Sequence, residues 1–347
     1  MRRYIHLLLV LAVVSGLATP VLSQQAEYEV ACIGFYNLEN LFDTINDPSI
    51  ALNKEFSPES DKHYNSYKYF KHLDNLAEVI SQMGTELSPV GPVILGVAEV
   101  ENRSVLEDLV KRDKIKDRHY RIVHYDSPDY RGVDVGFLYQ KDKFTVTNSK
   151  VYRYYNPDEP EYTSRDQLLV SGILENEPVH FIINHWPSRR GGQKKSEPRR
   201  IAAAKITRSI VDSLLRLNPE AKIIIMGDFN DDPVNKSLKK TLRAKGKIKQ
   251  MNNGDLFNPF YSLYNKGIGS LAYRDNWNLF DNMILSKALI SDQDGFHFYK
   301  AKVFNKRFLQ NKTGRYKGYP KRTFVGSAFL GGYSDHFPVY IILIKQL

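Results

Sequence analysis

Seven short apolar runs punctuate the chain: Val30 to Tyr36, Val93 to Ala98, Val135 to Tyr139, Leu168 to Leu174, Val179 to Asn184, Ile223 to Met226 and Val339 to Ile344. Each is short and rich in β-branched or aromatic residues, which predicts buried strands rather than helices. Two other segments carry helical period. Tyr69, Leu73, Leu76 and Ile80 share one face, and so do Ala203, Ile206, Ile210 and Leu214. Glu197 and Pro198 suit the first turn of the second helix, where an acid is favoured and a missing N–H is tolerated. The chain shows no internal repeat, low-complexity block or long linker. Strands outnumber helices, and the helices are scattered between them. This pattern predicts an α+β fold of sheets covered by helices in one continuous domain.

The N-terminus reads differently. Arg2 and Arg3 precede an apolar stretch, Leu7 to Val14, and Val21-Leu22-Ser23 offers a small-residue cleavage pattern before Gln24. This is the layout of a secretory signal over residues 1–23. The expected mature domain is then 24–347, exported to the periplasm or the extracellular space. The apolar stretch is too short to cross a bilayer and Pro20 interrupts it, so no stable membrane insertion is expected. The lone cysteine, Cys32, cannot form an intramolecular disulfide and lies in a strand-like run, where it predicts a small core residue. With 42% hydrophobic and 25% charged residues, the composition excludes a disordered or collagen-like chain.

The chemistry gathers where strands end. Ile223 to Gly227 runs into Asp228-Phe229-Asn230-Asp231-Asp232. On an extended end, Asp228 and Asn230 would point to the same side. A second reading is a capping turn, because Asp and Asn after a strand often satisfy backbone groups. Other strand ends carry similar residues: Asn184 into His185-Trp186-Pro187-Ser188, Ala98 into Glu99-Val100-Glu101-Asn102, and Ser334-Asp335-His336 ahead of the last strand. One strand-end histidine is usually structural, but several acids, amides and histidines at strand termini predict a site.

These blocks resemble the endonuclease/exonuclease/phosphatase superfamily. The matching segments are FYNLEN (Phe35 to Asn40), GVAEVEN (Gly96 to Asn102), TSRDQLLV (Thr163 to Val170), NHWPSR (Asn184 to Arg189), GDFND (Gly227 to Asp231), FDNMIL (Phe280 to Leu285) and SDHFPV (Ser334 to Val339), in the family's order. The resemblance implies a four-layer α/β/β/α sandwich, two mixed β-sheets face to face with helices outside. It implies that Asn37 and Glu99 hold a metal, with Asp335 supporting that side. Glu101, two residues after Glu99, is the competing ligand. By the same resemblance Asp228 and Asn230 contact the scissile phosphate and attacking water, and His336, oriented by Asp281, is the general base or its electrostatic equivalent. His185 binds or protonates a phosphate oxygen, and Arg165 contacts phosphate. Carboxylates, an amide and open water positions suit Mg²⁺, with Mn²⁺ or Ca²⁺ as alternatives. A tetrahedral zinc site suits this donor set less well.

Charge bears on the substrate. The net charge is +10. Lys236 to Lys249 carries seven Lys/Arg, Arg189 to Arg200 six, and Lys300 to Arg322 nine with no acid, the last interleaved with Phe304, Phe308, Tyr316 and Tyr319. The first two segments read as solvated surface. The third, which leads towards the SDH block, reads as substrate contact. The leading expectation is a monomeric, metal-dependent nucleic-acid endonuclease. The alternatives are a phosphatase or phospholipase-type enzyme on inositol phosphates, sphingomyelin or another small phosphoester, and a catalytically silent binding protein.

Overall fold

The computed structural model describes residues 27–291 and 295–347. The expected signal, 1–23, lies outside the described residues. Among them, no helix is long and apolar enough to cross a membrane.

The first half of the chain forms β1 (Tyr28–Leu41), α1 (Ser66–Gln82), β2 (Pro92–Val100), α2 (Arg103–Val110), β3 (Tyr120–His124), β4 (Asp134–Gln140), β5 (Phe144–Tyr152), β6 (Gln167–Leu174) and β7 (Glu177–His185). The second half forms α3 (Gln193–Leu217), β8 (Lys222–Asp228), β9 (Ala244–Lys245), β10 (Leu256–Phe257), α4 (Phe260–Tyr264), β11 (Leu271–Tyr273), β12 (Asn276–Asn278), β13 (Asp281–Leu285), α5 (Ala288–Ser291), β14 (His297–Val303), β15 (Phe324–Val325), β16 (Ala328–Phe329) and β17 (Val339–Gln346). All seven apolar runs lie in strands and both periodic segments in helices. The half-exposed edge strands β3, β5 and β14 carry no such run.

One sheet has the order β14-β17-β1-β2-β4-β3 and the other β5-β6-β7-β8-β13-β10-β9. They face each other as the expected sandwich. Alternation decides which side chains go where. In β8, Ile224 and Met226 join the core between the sheets, while Ile223 and Ile225 pack outward with Ala203 and Ile210 of α3. Phe137 of β4 and Phe181 of β7 meet across the gap, ring centroids 5.3 Å apart. Cys32 is fully buried in this core.

Helix α3 differs from expectation. It starts at Gln193, just after Gly191-Gly192, so Pro198 sits within the helix rather than in its first turn. The missing N–H of Pro198 leaves the Lys194 carbonyl without its usual intrahelical donor.

Candidate active site

Three polar residues end the inward-facing rows of the second sheet. Val179, Phe181 and Ile183 of β7 lead to His185; Ile224 and Met226 of β8 to Asp228; Leu285 and Met283 of β13 back to Asp281. The register places His185 opposite Asp228, and Asp228 opposite Asp281. The inner face is therefore apolar for most of its length and turns polar at one end. Gly227 permits this close pairing: a Cβ there would lie 2.3 Å from the Asn184 carbonyl oxygen.

The first sheet presents its own polar end opposite. Asn37 is paired with Ala98, one residue before Glu99. Strict alternation would send Glu99 the way of Val97, which packs outward beside Leu106 of α2. The register slips between Ala98 and Val100, and Glu99 takes a left-handed φ of 61°. A bulge of this kind re-aims a side chain. A matching slip in β1 puts Glu39 and Asn40 at φ 51°. Non-glycine residues held in this region are strained, and such strain concentrates at functional sites.

Three pairs join the two sheets. Asn37 Nδ2 donates to Asp228 Oδ2 at 3.2 Å. His336 Nδ1 lies 2.7 Å from Asp281 Oδ2. His185 Nε2 lies 3.8 Å from Glu99 Oε1 and 3.7 Å from Asp228 Oδ2, between two carboxylates and beyond hydrogen-bond range of either. The SDH segment is seated by Ser334, whose hydroxyl donates to the Asn37 carbonyl at 2.7 Å and accepts from His336 N at 3.1 Å.

Electrostatics separate the two histidines. Burial lowers His185 well below the usual histidine range, and the positive charges of Arg165, Arg131 and His336 lower it further, so it is neutral. Burial also opposes charge on His336. The Asp281 carboxylate and its hydrogen bond, with Asp228 and Asp335 behind, outweigh that and raise His336 well above the usual range. Burial raises Asp228 to about 7, which His336 opposes and Asp281 reinforces.

The remaining expected residues fall in different places. Asn230 is not extended but left-handed, φ 50°; its N–H donates to Asp228 Oδ1 at 2.9 Å, and its amide donates to the Trp186 carbonyl at 2.9 Å. The turn reading and the site reading therefore describe the same residues. Arg165 is turned inward. Its side chain is 2% exposed, with Nε on the His185 carbonyl, Nη2 on the Trp186 carbonyl and Nη1 on Asp129, so it supports the His185 strand end rather than presenting a free fork to phosphate. Asp335 takes Arg322 Nη2 at 2.6 Å, and this arginine also reaches Glu39. Glu101 is buried and already accepts from Asp43 N and Asn53 Nδ2, while Glu99 remains partly exposed with Oε2 taking Asn40 N. In the Arg189 to Arg200 segment, Arg189 and Arg200 both clamp Asp231 behind the site.

Two neighbours went unread in the sequence. Ser270 gives its hydroxyl to Asp281 Oδ2, on the same oxygen as His336. Arg131 lies 3.9 Å from Glu99. Arg131 stands just before β4, a strand-end position like the others; nothing local marks Ser270.

The residues fit a hard divalent cation. Glu99 and Asp228 bring carboxylate oxygens into one space, Asn37 stands beside them with Nδ2 on Asp228 and Oδ1 accepting from Glu39 N, and buried Asp281 Oδ1 and His185 Nδ1 have no protein partner. Carboxylate and amide oxygens are the donors such ions take.

The family profile of the endonuclease/exonuclease/phosphatase proteins matches residues 32–345. The chain belongs to this family. It is a family of divalent-metal-dependent phosphoesterases, and the cluster at the sandwich end is one of two places among the described residues where this member carries acids and histidine together. No curated protein matches the chain. Among solved structures, a family member of Bacteroides thetaiotaomicron is 16% identical, covers 93% of this chain and 98% of its own, and superposes with TM-score 0.54. A mannosyl-6-phosphatase of the same organism is 15% identical, covers 90% and 99%, TM-score 0.54. TDP2 of D. rerio, complexed with a single-strand DNA product, is 14% identical, covers 90% and 98%, TM-score 0.53. At these identities the likeness is one of fold.

Proposed function

We propose that this family member is an exported, Mg²⁺-dependent phosphodiesterase that cleaves nucleic acid. One observation carries the choice of substrate: the acid-free basic segment Lys300 to Arg322 joins the site at its last residue. Arg322 holds Asp335 and Glu39, while Lys312, Arg315 and Lys317 stay exposed to solvent. A polyanion longer than one phosphate would meet these cations while its scissile group reaches His336.

Within the site, Glu99 with Asn37 would hold the ion, Glu101 being occupied by its own loop. The bound ion would supply charge neutralisation at the nonbridging oxygens and a more acidic water. Asp228 and His336 flank the place where water attacks phosphorus. As the P–O bond to the leaving oxygen breaks, the proton of the attacking water passes to the Asp228 carboxylate, and protonated His336 gives its Nε2–H to the departing oxygen. Asp281 fixes the His336 ring through Nδ1 and leaves Nε2 to face the substrate. Neutral His185, poised between Glu99 and Asp228, can donate Nε2–H to a phosphate oxygen without adding a buried charge. Asn230 shapes the turn that aims Asp228.

The test is nicking of supercoiled plasmid by residues 24–347 with Mg²⁺, beside EDTA and His336→Ala controls. Nicking lost in both controls is the expected result. Absence of nicking, with phosphate released from sugar or inositol phosphates, would transfer the chemistry to a small phosphoester. A specific feature gives that second reading substance. Beside Arg165 lies a cavity of about 520 Å³ with Tyr130, Arg131, Tyr162 and Arg190 in its walls, the size of a small ligand.

A further inference from the structure

The β11–β12 hairpin is not explained by the catalytic arrangement, yet it is rooted in it. Ser270 N donates to the Asn278 carbonyl at 2.8 Å, closing the hairpin base, and Phe337 N donates to the Ser270 carbonyl at 2.7 Å. Ser270, the hydroxyl partner of Asp281, thus holds the base of the hairpin and through its own carbonyl also holds the residue after His336. Trp277 stands on the hairpin, its ring stacked on buried Phe337 at 6.1 Å and 13°. It remains 38% exposed.

From Trp277 the rings continue outward. Tyr319 lies 5.7 Å from Trp277, and Tyr316, 55% exposed, lies 5.5 Å from Tyr319. The last two belong to the basic segment. Arg315 sits 5.8 Å from the Tyr316 ring centre, and Lys312 and Lys317 are exposed on either side in sequence. Hairpin and segment are tied tip to tip: the Tyr319 hydroxyl donates to Asp275 Oδ1 at 2.6 Å and accepts Asp275 N at 2.8 Å. That bond also occupies the one acid of the hairpin turn. The order of the strip is then fixed, from His336 through Phe337 and Trp277 to Tyr319, Tyr316 and Arg315.

We infer that this strip is a stacking platform for unpaired nucleotides, DNA or RNA, leading away from the catalytic cluster. Two exposed rings, Trp277 and Tyr316, linked by half-buried Tyr319 and bordered by cations, match an unpaired strand, whose bases can stack while its phosphates face Lys and Arg. A duplex hides its base faces and would gain only the charge. The inference rests on the nucleic-acid reading of the site, and deepens it from a phosphoester to the state of the strand.

The chain has two tryptophans, Trp186, 1% exposed, and Trp277, so fluorescence quenching by a stacked base reports on Trp277. The experiment titrates residues 24–347 in EDTA with ten-nucleotide oligo(dT) and oligo(U), with the oligo(dT)·oligo(dA) duplex, and with inorganic polyphosphate. Binding is read in parallel by anisotropy of labelled oligonucleotide. We expect quenching by one or both single strands and weaker binding of the duplex. Trp277→Phe should abolish the quench and keep the binding. Trp277→Ala should weaken binding about tenfold, as one lost base–ring stack does, and so should the more exposed Tyr316→Ala if Trp277→Ala misfolds. Absent quenching, unchanged affinity in Tyr316→Ala, or equal binding of duplex or polyphosphate would overturn the platform. Binding with quenching but no cleavage in Mg²⁺ would keep it and overturn the nuclease reading; cleavage without quenching would do the reverse.

Discussion

Two clusters of one histidine and two carboxylates occur among the described residues, each with its ligand atoms within 4.8 Å of one another. One is Asp228, Asp281 and His336; the other is His124, Asp126 and Asp134. Their surroundings differ. His124 and Asp134 come from adjacent antiparallel strands of one sheet, β3 and β4. They bond to each other at 3.1 Å, and Asp134 also takes Ser127 N at 2.7 Å. The third member, Asp126, leaves its side chain 90% exposed. This cluster closes the loop between its strands and its two buried members satisfy each other. The first cluster draws on both sheets, leaves Asp281 Oδ1 unpaired, and lies beside the strained bulge at Glu99. Residue types alone do not separate them. Convergence across the sandwich, with unsatisfied buried atoms, does.

The contrast breaks most directly by removing each histidine. His336→Ala should lower phosphoester hydrolysis by about 10²–10⁴-fold, the size of a lost acid–base group. His124→Ala should leave turnover within about twofold while costing about 1–3 kcal/mol of stability, because Asp134 loses a buried partner. Comparable rates in both variants would erase the distinction. Arg165→Met sharpens it by stripping support from behind His185. It leaves the His185 and Trp186 carbonyls without their donor and Asp129 with Arg131 alone, and urea unfolding should show a loss of about 1.5–3 kcal/mol. A stable variant that loses only substrate affinity would restore Arg165 as a phosphate contact.

Ser270→Ala removes one hydrogen bond to a charged acceptor, about 1.5–3 kcal/mol, so kcat/KM should fall by at least about tenfold while Ser270→Thr retains activity. If both variants fall together, crowding at the hairpin base rather than the lost hydroxyl is responsible. A third histidine supplies the smallest effect. His72 is buried in α1 and desolvation pushes it down to about 4. The folded chain then binds fewer protons than the unfolded one, so stability present near pH 7 is lost as pH falls from about 6.5 towards 4. At pH 5 the loss should be about 2 kcal/mol, visible as a lower melting temperature that His72→Leu no longer shows. An unchanged acid sensitivity in that variant would assign it to carboxylates instead.

Much of this was legible along the chain, for a local reason. A strand buried on both faces must be apolar until it ends, so the first polar residues after Met226, Ile183 and Ala98 stand out. The family's order of motifs then named Asn37, Glu99, Asp228, His185, Asp281 and His336, and the fold brings these six to one end of the sandwich. Arg165 could not be read this way. Its motif is intact, but burial and three partners turn its guanidinium to the backbone of another strand. Edge strands β3, β5 and β14 escaped because a half-exposed strand carries no apolar run.

By itself, then, the sequence determined the seven apolar strands, the two long helices and the set of residue types available for phosphoester chemistry, since these follow from neighbours within a few positions. Only the tertiary structure set the surroundings of Glu99 and Glu101 apart, because a bulge in β2 reverses the alternation for one and a loop consumes the other. It likewise placed Ser270 on Asp281 and Trp277 against Phe337. Those contacts join residues 11 positions apart in one case and on separate elements in the other, and depend on which strand ends meet. Spacing along a chain states what a side chain can do; the register of two facing sheets states what it touches.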